Sequence, residues 1–169
     1  MAPRRWRAVV AEVPFVDCVT TMLDPGIPLT INEWDEWGDP RDPRLRAYME
    51  SYSPYDNPPS GPRPDLLVIG SLHDPRVLIH EPAKWVARLR ATGDGGTGDG
   101  GTSDGGTSDG GTSDGGTGDG GTSDGGTSGR LLFRPELGAG AHVGPAGRYD
   151  RLRHEAEVLA FIMASVSLP

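Results

Sequence analysis

The sequence predicts an α/β fold built on a parallel sheet, and three observations carry that expectation. Short, largely apolar runs stand at residues 8–13, 65–70 and 131–133. They are too short for helices and lack the regular polar alternation of a strand that faces water on one side. Helix-period patterns follow the second and third runs. Strand and helix therefore alternate, the arrangement that gives parallel strands joined by crossovers.

Residues 8–13 read AVVAEV and stop at Pro14, which cannot extend a hydrogen-bonded ladder. Prolines at 25, 28, 40, 43, 54, 58, 59, 62 and 64 then make residues 24–64 an irregular stretch, with helix expected only as a turn or two around 43–49. Residues 65–70, DLLVIG, form a second strand of the type that helices cover on both faces. Pro82 suits a first helical turn, and Trp85, Val86 and Leu89 fall on one stripe behind it. Leu131, Leu132 and Phe133 make the third strand, and residues 137–147 a Gly-rich loop. The chain closes with Tyr149, Leu152, Ala156, Leu159, Ala160 and Met163 at helical spacing, with Arg151, Arg153, Glu155 and Glu157 between them.

A five-residue repeat, GDGGT or SDGGT, fills residues 93–129 and separates a first folded segment, 1–92, from a second, 130–169. It offers no aliphatic or aromatic side chain to bury, and ordering glycine is entropically expensive, so a flexible insertion is expected. Calcium-binding β-rolls repeat every nine residues around an apolar position that is missing here, so no metal is expected. The repeat holds 18 of the 26 glycines and seven aspartates. Without those aspartates, 17 acidic residues stand against 16 basic, net −1 rather than −8. The acidity thus belongs to the insertion and identifies no partner. No basic patch argues for nucleic acid, and no run nears the ~18 apolar residues of a membrane span. Glu12 interrupts the apolar opening and no small-x-small cleavage site follows, so a signal peptide is not expected. A single cysteine, Cys18, fits a reducing compartment.

In open parallel sheets, reactive groups stand on loops past the carboxyl ends of strands. Two such loops carry chemistry: LHDPRV at 72–77 with Asp74, and GAGAHVG at 138–144 with His142. A carboxylate on one and an imidazole on the next is what a hydrolase needs to orient a general base. The plainer alternatives are an Asp-Pro turn and a solvent-facing histidine in a glycine loop. A nucleophile is harder to find. The elbow pattern G-x-S-x-G occurs at Ser103, Ser108, Ser113 and Ser123, all inside the repeat, where no strand precedes and no helix follows. None of the four is expected to act.

The segments AEVPFVD (11–17), TTMLD (20–24), PLT (28–30), EWDEWG (33–38), YSPYDN (52–57), HDPRV (73–77), EPAKWVA (81–87) and GRYD (147–150) together resemble the prolyl oligopeptidase family of serine peptidases. The resemblance spans nearly all of the chain outside the repeat. It implies the C-terminal part of an α/β-hydrolase domain, cytoplasmic in bacteria, cofactor-free, and acting on short basic peptides after Arg or Lys. It further implies that Asp74 and His142 are the triad acid and base, and that Arg76 binds a substrate carbonyl. Glu33 and Asp35 match an acidic pair that receives the basic side chain. In an extended segment residues i and i+2 point the same way, so these two could close on one guanidinium, shielded by Trp34 and Trp37, while Glu36 points away.

Three departures accompany the resemblance. The sequence starts beyond the point where the family's nucleophile elbow belongs, so an N-terminal half with the serine is expected elsewhere and the chain alone is expected to be inactive. The histidine loop reads GAGAH where the family pattern is GAGH. The repeat occupies a connection that is otherwise short. A peptidase of acylaminoacyl or dipeptidyl type, and a non-enzymatic scaffold built around the acidic repeat, are the alternative readings.

Overall fold

The computed structural model describes residues 5–59, 61–92, 129–138, 140 and 142–166. Nearly all of the repeat, together with Ala139 and Ala141 of the histidine loop, lies outside them. Among the described residues three strands and five helices follow one another: β1 (Ala8–Glu12), α1 (Cys18–Met22), α2 (Thr30–Trp37), α3 (Pro43–Tyr52), β2 (Asp65–Ser71), α4 (His80–Thr92), β3 (Leu131–Glu136) and α5 (Arg148–Val166). No helix among them is long and apolar enough to cross a membrane.

The strands form one parallel sheet in the order β1-β2-β3. Ala8 pairs with Asp65 at one end of the first ladder, and Ser71 with Glu136 at the far end of the second. Because side chains alternate along a strand, the apolar run of β2 serves two layers. Leu66 and Val68 pack against Val86 and Leu89 of α4. Leu67 and Ile69 face the other way, onto Phe161 of α5 with Val158 and Ile162 beside it. β3 runs on through Pro135 to Glu136, three residues beyond its apolar run. An edge strand tolerates proline because the missing N–H is not needed on its open side.

Two expectations need correction. The proline-rich stretch is not irregular: it contains α2 and a ten-residue α3. Proline forbids helix interiors only, and Pro43 sits at the start of α3, where Asp42 caps the helix by accepting a hydrogen bond from the Arg44 amide (2.8 Å). Residues 29–39 contain no proline at all. These helices and α1 share a small core of Cys18, Val19, Met22 and Met49, with Phe15 and Trp34 against it. The second correction concerns α5. Tyr149, Leu152, Leu159 and Met163 are exposed, and the face that meets the sheet carries Val158, Phe161, Ile162 and buried Ser165.

Buried carboxylates dock the helical excursion onto the sheet layers. Glu81, only 1% exposed, lies in the first turn of α4. One of its oxygens accepts from the amides of Val16 (2.6 Å) and Asp17 (2.8 Å), and the other from the Thr21 hydroxyl (2.7 Å). Asp17 caps α1 through the Thr20 amide and pairs with Lys84 of α4.

At the amino end of the sheet, Asp65 accepts three hydrogen bonds from Arg130: the amide at 2.8 Å, Nε at 3.0 Å and Nη2 at 2.6 Å. Arg130 reaches on to the Ser165 hydroxyl (3.1 Å), and Arg7 to the Ser165 carbonyl (2.9 Å), so the starts of all three strands meet the end of α5. Burial opposes the charge of Asp65, but the Arg130 hydrogen bonds outweigh it and hold its carboxyl below the usual range. A depressed folded-state pKa contributes stability that is present above the unfolded value of about 4 and is lost as pH falls through the folded one. Arg130 is half-exposed, so solvent screening limits the effect, and Asp65→Asn should cost about 1 kcal/mol at neutral pH. In urea unfolding the gap between parent and variant should narrow as pH falls below about 4; a gap of equal size at neutral and acid pH would contradict this account.

Candidate active site

The carboxyl ends of β2 and β3 lie side by side because the strands are parallel neighbours, and the next turn of chain after each carries one reactive group. β2 ends at Ser71, and the turn behind it places Asp74 with its side chain fully buried. Asp74 Oδ1 accepts from the backbone amides of Arg76 (2.8 Å) and Val77 (3.1 Å), the Asx-turn geometry that an Asp before proline favours. Oδ2 is left for one partner, His142 Nδ1, at 2.9 Å. A carboxylate is acceptor-only, so Nδ1 carries the proton and donates, and the lone pair of the neutral ring resides on Nε2. That nitrogen has no hydrogen-bond partner among the described residues.

β3 delivers His142 through the glycine loop. Gly144 stands at φ +91, a conformation that side-chain-bearing residues rarely adopt, and it lets the loop turn back directly after the histidine. The fold thus brings together Asp74 and His142, 68 positions apart. A cavity of about 670 Å3 opens beside them, between the strand ends and α5, with Glu12, Ser71, Glu136, His142 and His154 among its lining. Val13, also in its wall, is held at φ +40, a strained setting for a β-branched residue.

Among the described residues, no side chain of the other candidates hydrogen-bonds to this pair, and Arg76 meets it only through its backbone amide. Arg76 is exposed on the Asp74 turn, and its guanidinium has no partner among the described residues. Glu33 and Asp35 sit on α2, not on an extended segment. On a helix, residues two apart point about 200° from each other, so the convergence expected of extended chain does not apply. Glu33 is half-buried and Asp35 exposed, and neither carboxylate has an ion-pair partner among the described residues. Trp34 is an anchor, donating from Nε1 to the Met22 carbonyl (2.9 Å) and lying under Arg41 at 4.1 Å. Trp37 meets Phe15 edge-on at 5.3 Å.

Sequence reading missed a second histidine. His154 of α5 bridges Arg134 (Nδ1, 2.8 Å) and Glu12 (Nε2, 3.1 Å) on the cavity wall. Arg134 also pairs with Glu157 (2.8 Å). The one available signal was an isolated His within the final helix, and nothing in its spacing pointed to partners on two different strands.

The bonding pattern predicts unequal costs at the pair. Asp74→Ala strands two amides of the turn as well as the ring, and should lower stability by about 2–4 kcal/mol. His142→Ala leaves one buried carboxylate oxygen without its partner and should cost less, about 1–2 kcal/mol. Urea midpoints of the two variants test the order; a reversed order would show that Asp74 does not organise the turn.

Known proteins resemble this chain in sequence and in fold. The model of the prolyl oligopeptidase family matches residues 1–97. Protease 2 of Moraxella lacunata is 42% identical over 96% of this chain and 19% of its own length. Dipeptidyl aminopeptidase BI of Pseudoxanthomonas mexicana is 39% identical over 96% of this chain and 18% of its own. Among solved structures, oligopeptidase B from Trypanosoma brucei with covalently bound antipain superposes with a TM-score of 0.73 at 35% identity, covering 98% of this chain and 19% of that one. Oligopeptidase B from Leishmania major gives 0.72 at 33% identity, over 96% and 18%. The chain therefore spans about a fifth of the length of the relatives it matches, and its parallel sheet with flanking helices is part of an α/β-hydrolase fold. With more than half of its residues matched by the family model, the chain belongs to the prolyl oligopeptidase family.

Proposed function

We propose that this chain is the C-terminal part of the catalytic domain of a serine peptidase that cleaves short peptides after Arg or Lys in the cytoplasm. The observation that carries the reading is the 2.9 Å hydrogen bond between His142 Nδ1 and Asp74 Oδ2. With Nδ1 protonated, Nε2 takes the proton of a serine hydroxyl as that oxygen attacks the peptide carbonyl, then returns it to the departing amine. Asp74 fixes the tautomer and stabilises the imidazolium, while its other oxygen stays occupied by the two turn amides. Outside the repeat these 169 residues contain no G-x-S-x-G, so the serine comes from chain beyond them or from a second polypeptide.

Arg76, exposed on the Asp74 turn, supplies a cation for a substrate carbonyl. Glu33 and Asp35 supply the negative charge that selects a basic side chain. Their contribution is two carboxylates within one helical turn, unpaired among the described residues and reached by a long guanidinium or ammonium group, and not a pincer of parallel side chains. The similarity to Dipeptidyl aminopeptidase BI favours a second reading, in which a free substrate N-terminus is required.

Without a nucleophile, triad enzymes keep only residual acceleration. The 169-residue polypeptide should therefore leave Arg-aminomethylcoumarin peptides uncleaved, and turnover by the purified, protease-free chain would refute the assignment. Complemented with a segment bearing the nucleophile elbow, it should cleave after Arg. Charged hydrogen bonds at about 1.5–3 kcal/mol each make the joint substitution Glu33→Ala and Asp35→Ala cost at least about a hundredfold in kcat/KM for Arg relative to Leu substrates. An unchanged preference would remove these residues from the specificity site, and cleavage confined to unblocked N-termini would favour the dipeptidyl reading.

A further inference from the structure

We infer that Ser71, the last residue of β2, is a positioning residue for the His142 general base. The inference rests on the peptidase reading and extends it to a group outside the triad. Ser71 is 3% exposed, and its hydroxyl donates to the Gly140 carbonyl at 2.9 Å, across 69 positions of sequence. The same oxygen accepts from the His73 amide (3.4 Å), and the Ser71 carbonyl accepts from the Asp74 amide (3.3 Å). One residue thus grips both loops of the pair: its backbone sets the start of the Asp74 turn, and its hydroxyl holds the glycine loop two residues before His142.

Among the described residues, this hydroxyl and Asp74 itself make the only side-chain hydrogen bonds between the Asp74 turn and the histidine loop. Among the described residues few other hydrogen bonds hold the loop, the Gly138 amide on Glu136 Oε1 (3.0 Å) being one. Its entrance is set by the Leu72 amide on the Glu136 carbonyl (2.9 Å), and its exit by the Arg151 amide on the Gly147 carbonyl (3.1 Å). Gly140 is itself buried, and a Cβ there would come within 3.1 Å of the Gly144 carbonyl oxygen and of Pro145 Cα. Without the Ser71 hydroxyl, the Gly140 carbonyl would be a buried acceptor lacking this partner, and the loop would regain one by moving toward water. Such a movement carries His142 away from Asp74 Oδ2, because the ring is tethered there by a single hydrogen bond. A hydroxyl that served only local stability would leave the ring's tautomer unchanged.

The experiment is nitrogen-15 NMR of the histidine rings in the full 169-residue chain, with His142 assigned by its loss in His142→Ala. The parent should show His142 as the Nδ1–H tautomer with a low-field proton that Asp74→Asn abolishes. Ser71→Ala should abolish that proton and mix the tautomers while the remaining histidines keep their signals, and Ser71→Thr, which restores a hydroxyl, should recover it. Ser71→Cys keeps the size with a poor donor and should reproduce the loss if the alanine variant does not fold. A His142 spectrum unchanged in Ser71→Ala or Ser71→Cys would overturn the inference and leave the peptidase reading intact. A parent in which His142 carries no Nδ1 proton would remove both.

Discussion

One carboxylate joins the two halves of this chain. Asp74 divides its oxygens between the amides of its own turn and the ring of His142, so a local motif and a long-range contact share a single buried group. The division has a physical logic. Two amide donors satisfy the charge where water cannot reach it, and they fix the carboxylate plane so that the second oxygen points to a defined place. A histidine arriving there meets an acceptor already oriented, and its own tautomer follows from that meeting. The orientation of the ring is therefore set by the fold itself.

The parallel sheet makes that meeting possible at low entropic cost. β2 and β3 run the same way as direct neighbours, so the loops that leave their carboxyl ends start a strand spacing apart whatever the length of chain between them. The intervening connection includes α4 and the whole repeat, yet closing a longer loop adds only slowly to the cost of folding. A 37-residue glycine-rich segment can thus stand in the sequence between Asp74 and His142 without separating them, because the ladder and the two faces of β2 decide the distance.

The helical excursion of α1 to α3 is held by a different device. Its own core is small, and its attachment to α4 runs through the three hydrogen bonds accepted by Glu81 and the Asp17–Lys84 ion pair. A buried carboxylate costs much in desolvation unless it is fully hydrogen-bonded, and Glu81 meets that condition on both oxygens. The consequence is that α2, with Glu33 and Asp35, is placed by polar contacts to α4 and by the Trp34 anchor more than by extensive apolar burial.

The sequence by itself determined the three strands, the α4 and α5 helices and the identity of Asp74 and His142 as candidates, because apolar runs, helical spacing and post-strand position are local properties. It misjudged the proline-rich stretch, since proline density does not say whether a proline falls at a helix start or inside one, as Pro43 illustrates. The tertiary structure alone decided which stripe of α5 is covered: the helix has apolar residues on both sides, and only the shape of β2 selects Val158, Phe161 and Ile162 over Leu152, Leu159 and Met163. It also decided the helical setting of Glu33 and Asp35 and the partners of His154 and Ser71. Those partners lie on other strands and loops, and no local pattern encodes a hydrogen bond that exists only once separate elements have packed.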